Sequence, residues 1–163
     1  MAQPKRTSGT PAIIAAERAG IAFQVLEYTH DPGAESYGLE AAAALNVAPE
    51  AVFKTLVAAV DGTKLAVAIV PSNARLNLKQ FAAAAGGKRA DMANPADAER
   101  ATGYVLGGIS PLGQRRRLPT LLDQSALALS TIYVSAGRRG LELALAPTDL
   151  ARLTGAVVAP IAG

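Results

Sequence analysis

The sequence contains no cysteine and no tryptophan, and it has a single histidine, His30. Without cysteine the chain forms no disulfide, no thiolate metal site and no thiol nucleophile of its own. One histidine supplies neither a zinc site nor a choice of partners for a Ser-His-Asp triad, so neither metal catalysis nor a cofactor is expected. Aromatic residues make up only 4%, which argues against a stacking platform for single-stranded nucleic acid. Any contact with RNA is then expected to run through phosphates and loops. No apolar run approaches the roughly 20 residues that span a bilayer, and the opening MAQPKRTSGTP is polar rather than a signal peptide. A cytoplasmic protein without a membrane partner is the expectation.

What is present suits one α/β domain. The chain has 163 residues, half of them apolar, enough for a stable core without crosslinks. Residues 1–9 read as a disordered polar tail and residues 10–163 as the domain. The formal charge of +3 is too small to establish nucleic-acid binding, so the placement of the basic residues must carry that argument.

Start and stop residues mark the helices. Thr10-Pro11 opens one that Gly20 closes, Ser36 caps a second reaching about Leu45, and Asn77 to Ala85 forms a third. Asn94-Pro95 opens a fourth ending at Gly103, and Pro147 begins the last. Ile21 to Tyr28 reads as a strand running into a turn at His30 to Gly33. The pattern KTLVAAV-DG-TKLAVAIV from Lys54 predicts a hairpin around Asp61-Gly62. Leu118 to Asp123 is a further strand, and Thr131 to Ser135 with Leu141 to Leu145 predicts a second hairpin around Gly137 to Gly140. Two hairpins make the sheet mixed or antiparallel rather than doubly wound and parallel.

Between two apolar segments lies TGYVLGGISPLG, residues 102–113. Its glycines allow backbone N–H groups to approach a ligand and Pro111 stiffens it, so a polarised carbonyl or a phosphate could be held there. A glycine-rich bend in a curved sheet explains the composition equally well. The spacing fits neither a dinucleotide fingerprint nor a P-loop. Lys54 is a poor strand-interior residue. At a sheet end it can meet a phosphate or an oxyanion, with the Thr55 hydroxyl beside it, although a solvent-facing lysine is the commoner case.

Three basic runs, Lys88-Arg89, Arg115 to Arg117 and Arg138-Arg139, are ordinary surface by default. Two flank the candidate elements, which makes Arg115, Arg116, Arg138 and Arg139 candidates for an RNA backbone. His30 reads as a capped turn residue that can also stand at a cleft mouth. Asp31, Glu35 and Glu40 are too irregularly spaced for an acid/base pair. Tyr28 and Tyr37 flank the same turn as packing residues, and Ser135 is a strand-end hydroxyl.

Taken in order, the blocks TPA at 10–12, YTHDP at 28–32, VFKTL at 52–56, the loop at 102–113, RLPT at 117–120 and IYVSAGRRG at 132–140 resemble the YbaK/EbsC family. The likeness runs from Thr10 almost to the C-terminus, near the bacterial Cys-tRNA(Pro) deacylases. It implies an α/β fold with a mixed, largely antiparallel, barrel-like sheet flanked by helices, shared with the editing domain inserted in some prolyl-tRNA synthetases. It implies that Lys54 lies near the 3′-terminal adenosine or its phosphate, with Thr55 following. The stretch Gly108 to Gly113, with Ile109, Ser110 and Pro111 inside it and Gly107 before it, is expected to hold the aminoacyl ester. Tyr28 and Ser135 correspond to pocket positions. Tyr37 stands where relatives often have phenylalanine, and Glu142 where many have aspartate, so both bear on pocket size and polar reach.

The implied substrate is aminoacyl-tRNA, mainly tRNA(Pro), with Cys-tRNA(Pro) hydrolysed in trans and prolyl-tRNA synthetase as a candidate partner. The cysteinyl thiol of the substrate would attack its own ester, so a site without a protein nucleophile suffices. Editing of Ala-tRNA(Pro) by water, or a non-catalytic module that binds tRNA ends or nucleotides, are the alternatives.

Overall fold

The fold is taken from a computed structural model, which describes residues 9–34 and 36–163. Apart from Gly9, the expected N-terminal tail lies outside the described residues, as does the carboxylate of Glu35.

Local chemistry sets the helix ends. Helix α1 (Pro11–Ala19) follows an extended Thr10 whose hydroxyl accepts from Ile13 N at 3.2 Å, and Gly20 closes it with φ 70°. Ser36, Asn77 and Asn94 cap α2 (Tyr37–Leu45), α3 (Leu78–Ala84) and α4 (Pro95–Thr102) in the same way. Helix α5 (Pro147–Thr154) starts on its proline without a side-chain cap. None of the described helices is long and apolar enough to cross a membrane.

The strands are β1 (Phe23–Glu27), β2 (Phe53–Val60), β3 (Lys64–Pro71), β4 (Ala90–Met92), β5 (Thr120–Asp123), β6 (Ile132–Arg138), β7 (Leu141–Leu145) and β8 (Val157–Ala159). One sheet has the order β1-β7-β6 and is antiparallel. The other runs β4-β2-β3-β5-β8, with β5 parallel to both β3 and β8. A parallel bridge between Val52 and Tyr133 joins them. The result is the expected mixed, largely antiparallel, barrel-like arrangement with helices around it.

The first hairpin forms as expected, with a three-residue loop, Asp61 to Thr63, closed by the Val60–Lys64 pair. In the second hairpin β6 runs on to Arg138 through a register shift after Ser135, so the turn shrinks to Arg139 and Gly140. The bulge absorbs Ala136 and Gly137 and brings Arg138 opposite Leu141. Strands β4 and β8 were not foreseen. Three residues are too few to carry a periodic pattern.

Period-two alternation gives the second sheet two apolar faces. Phe53, Val57, Val67, Ile69 and Leu122 join the main core with β6, β7, α1 and α5. Ala58, Val60, Ala66, Ala68, Val70 and Leu121 face the opposite way, under Phe81 of α3. The C-terminal segment is fastened by Asp123, which is 4% exposed. Its Oδ1 accepts from the N–H groups of Ile161 and Ala162, both at 3.0 Å, and its Oδ2 accepts from Ser125 N and Oγ. Burial alone would raise this carboxyl, but the four hydrogen bonds outweigh it and hold the pKa below the usual value. Replacing Asp123 by alanine leaves buried amides unpaired, and a loss of about 1–3 kcal/mol is expected. Urea unfolding of Asp123→Ala measures it, and a midpoint unchanged from wild type would refute the fastening role.

Candidate active site

The site begins with a strand that has lost a neighbour. Strand β3 pairs with β2 along its full length, from Phe53 to Val60. On the other edge β4 accompanies only Ala58 to Val60, one further bond joins Ala93 N to Val57 O, and β6 pairs with this part of the chain only through the bridge at Val52. Between those contacts no described strand pairs with this edge of β2 over Phe53 to Leu56. A cavity of about 550 Å³ opens there, a volume typical of small-ligand sites.

The structure brings Lys54 and Thr55 of β2, Tyr28, Tyr37 of α2, Gly107, Ile109, Ser135 of β6 and Glu142 of β7 into the lining of this one cavity. Ser135 and Glu142 are cross-strand partners, so the pleat sends both to the same face of their sheet. Much of the remaining wall is apolar: Val52, Phe53, Val57, Met92, Ala93, Ala98 and Leu106 all contribute. Sequence reasoning missed these residues because each reads as ordinary core or loop. Only their shared gap gives them a function.

Few charges stand in this wall. Burial, and then the charge of Arg75, hold the Lys54 pKa below the usual lysine value. Partial burial leaves this ammonium less hydrated than one in bulk water, which strengthens its attraction for a ligand anion. The neighbouring Thr55 Oγ1 is a buried side-chain oxygen without a hydrogen-bond partner among the described residues, a ready contact for a polar ligand atom. Glu142 is 7% exposed, and burial pushes its carboxyl up to about 8, so it is largely protonated at pH 7. Burial first, then the charges of Glu142 and Glu40, push Tyr28 up to about 12, keeping it a neutral hydroxyl.

No activated protein nucleophile emerges from the lining. Ser36 Oγ accepts from Leu39 N, and Ser135 Oγ accepts from Gly137 N. The one histidine lies outside the lining, its Nδ1 2.8 Å from Glu40 Oε1 and its ring 5.7 Å from that of Tyr37. His30 therefore braces the Tyr37 wall from behind rather than facing the cavity.

The glycine-rich loop is split between two places, which corrects the expectation that it meets a ligand as one unit. Gly107 and Ile109 line the cavity, but Pro111 and Gly113 line a separate one with Arg116, Arg117 and Thr154. Ser110 is fully buried, its Oγ accepting from Leu112 N. The physical reason is that Ile109 and Leu112 are both drawn into the main core, which folds the loop so that only its first half reaches β2. Gly113, at φ 68°, lies so close to α1 that a Cβ would meet the Pro11 carbonyl oxygen at 2.5 Å. Its glycine serves helix packing.

The arginines divide as well. Arg138 pairs with Glu27 at 2.8 Å, and Arg139 is turned onto Tyr37 and Leu106. Arg115 and Arg116 are exposed and form no ion pair among the described residues.

Comparison with known proteins fits this geometry. Residues 31–153 match the family described as "Aminoacyl-tRNA editing domain". The chain belongs to that family. It is accordingly an aminoacyl-tRNA editing enzyme, a hydrolase acting on aminoacyl-tRNA. It is 36% identical, over 99% of its length and 98% of the relative's, to the Enterococcus faecalis protein EbsC, provisionally named a Cys-tRNA(Pro)/Cys-tRNA(Cys) deacylase. A stretch covering 62% of the chain is 34% identical to part of the proline–tRNA ligase of Streptococcus suis, and it makes up 16% of that enzyme. A crystal structure provisionally described as a trans-editing enzyme for prolyl tRNA synthetase superposes with a TM-score of 0.81 at 26% identity, covering 100% of this chain and 99% of the other. Related sequence therefore makes up nearly all of one relative and a small part of a synthetase.

Two substitutions probe the cavity. Lys54→Ala is expected to lower aminoacyl-tRNA hydrolysis about 100-fold while leaving the thermal midpoint near wild type. Unchanged hydrolysis would remove Lys54 from the site. For Glu142 the native pKa of about 8 lies above the ordinary glutamate value of 4.5, so between those two values the folded chain holds a proton that the unfolded chain has released. Stability therefore falls as pH rises through that window. Glu142→Gln should gain on wild type by a few kcal/mol at most toward pH 8. Parallel melting curves from pH 5 to pH 8 would contradict the buried neutral carboxyl.

Proposed function

We propose that this editing enzyme acts on Cys-tRNA(Pro) in trans and that the substrate's own thiol is the nucleophile. The observation that carries the reading is the plainness of the cavity. It offers an ammonium, a buried carboxyl and hydroxyls, but no base aimed at a free protein nucleophile. A substrate that brings its own nucleophile needs only to be held in the reacting geometry.

In the proposed step the cysteinyl sulfur bonds to the ester carbonyl carbon, and the carbon–oxygen bond to the terminal ribose breaks. The thiol proton passes to the released ribose hydroxyl, giving a four-membered thiolactone that water then opens to free cysteine. The Lys54 ammonium, at the edge of β2, offsets negative charge near the terminal adenosine. Thr55 Oγ1, buried without a partner among the described residues, receives a polar atom of the ester or ribose. Glu142 accepts the substrate's α-ammonium, which would draw its raised pKa back down by pairing. The apolar wall around Phe53 and Val57 keeps bulk water from the carbonyl. Arg115 and Arg116, exposed and without ion pairs among the described residues, are assigned to the phosphates of the tRNA. They set tRNA affinity rather than the choice of amino acid. Support for tRNA(Pro) comes from the likeness to EbsC and to part of a proline–tRNA ligase.

A panel of Cys-, Ser-, Ala- and Pro-tRNA(Pro) tests the reading with the pure protein. Cys-tRNA should be hydrolysed at least about tenfold faster than Ser-tRNA, which places a weaker nucleophile at the same position. Equal rates for cysteine and serine would sink the thiol-assisted route. Hydrolysis of Ala-tRNA at the rate of Cys-tRNA would transfer the assignment to attack by water, and binding without hydrolysis of any ester would leave a non-catalytic module.

A further inference from the structure

Arg139 sits in the tight turn between β6 and β7, where an exposed arginine ordinarily looks free to bind phosphate. Its guanidinium is instead turned inward, with two of its nitrogens and its central carbon already in contact with the protein. Nε and Nη2 both donate to the Leu106 carbonyl, at 3.0 and 2.6 Å. Its Cζ stands 4.7 Å from the centroid of the Tyr37 ring. One side chain thus ties together three segments distant in sequence: the hairpin turn, the first residue of α2, and the turn that opens the glycine-rich loop.

Everything it touches belongs to the cavity mouth. Tyr37, Leu106 and Gly107 all line the cavity. Gly107, at φ 84°, lies so close that a Cβ would meet Tyr37 Cε2 at 2.6 Å and Arg139 Nε at 2.7 Å. Gly108 is pressed on the same hairpin, where a Cβ would meet Arg138 Cα at 2.8 Å. The loop is held from its other side by Leu106 N, which donates to Glu99 Oε2 at 3.0 Å, and it closes on itself through Gly108 N to Val105 O at 2.9 Å. Behind Tyr37, His30 and Glu40 complete the brace.

We infer that Arg139 is a positioning residue that clamps the Leu106–Gly107 turn against Tyr37, setting the width of the cavity mouth and the place of the ester carbonyl. The inference rests on the deacylase reading above but assigns Arg139 a part that phosphate binding would not give it. The side chain must be arginine. Only a planar fork delivers two donors to one carbonyl while presenting a flat face to an aromatic ring, and lysine keeps the charge but loses both features.

That difference separates the clamp from a phosphate contact. For the clamp, Arg139→Lys and Arg139→Ala should both lose about 10- to 100-fold in kcat on Cys-tRNA, the scale of a small misplacement of the reacting groups. KM for the tRNA and the salt dependence of binding should stay close to wild type. Near-wild-type kcat in Arg139→Lys, with a raised KM and a shallower salt slope in Arg139→Ala, would overturn the clamp and identify a phosphate contact. Hydrogen exchange in the tRNA-free protein gives a readout independent of turnover. The amides of Gly107 and Gly108 should exchange faster in both variants than in wild type, while those of β2 and β3 stay protected. Unchanged exchange at Gly107 and Gly108 would refute the clamp whether or not the enzyme proves to be a deacylase. If wild type hydrolyses none of the esters but the exchange difference is present, the clamp stands and the substrate assignment alone fails.

Discussion

The missing partner along the outer edge of β2 is the constraint on which the site depends. A strand paired on both sides over its whole length would have no room beside Lys54 and Thr55. Here β4 ends after three residues and the other sheet bridges the chain only at Val52, just before β2 begins, so the edge of β2 between those points borders a gap between the two sheets. The gap persists because it is framed by well-anchored parts. Strand β3 secures the other edge of β2, and α2 and α4 supply its outer walls.

Burial does most of the electrical tuning within that gap. The same loss of water lowers the Lys54 pKa and raises those of Glu142 and Tyr28. Neutral and weakly hydrated groups favour a ligand that brings its own charge, and an aminoacyl-tRNA end carries an α-ammonium and a phosphate chain. The two serine hydroxyls of the lining are committed to local structure, Ser36 as a helix cap and Ser135 in its own turn, while Thr55 has no base set against it.

Much of the fold was legible because its signals are local. Thr10, Ser36, Asn77 and Asn94 cap helices through bonds spanning two or three residues, and the β2–β3 hairpin declares itself in two apolar runs on either side of Asp61-Gly62. The strands overlooked, β4 and β8, are held by pairing with distant partners rather than by their own composition. Of the site, Lys54, Thr55, Tyr28, Ser135 and Glu142 were reachable through family likeness, and the structure collects them in one cavity. The glycine-rich loop was read as a unit although it serves two places, because a string of glycines does not record which neighbours are buried beside it. Arg138 and Arg139 likewise read as free charges until Glu27, Tyr37 and Leu106 came within reach.

By itself, then, the sequence determined the helix boundaries, the first hairpin and an α/β class with a mixed sheet. It also determined that no cysteine, and no second histidine, is available for chemistry. Those properties depend on composition or on residues a few positions apart. The tertiary structure alone decided which edge of β2 stays open, which half of the loop faces it, and whether each arginine meets solvent or a carbonyl. Such outcomes are set by contacts between residues far apart in the chain, whose free energies appear only once the two sheets have closed upon each other.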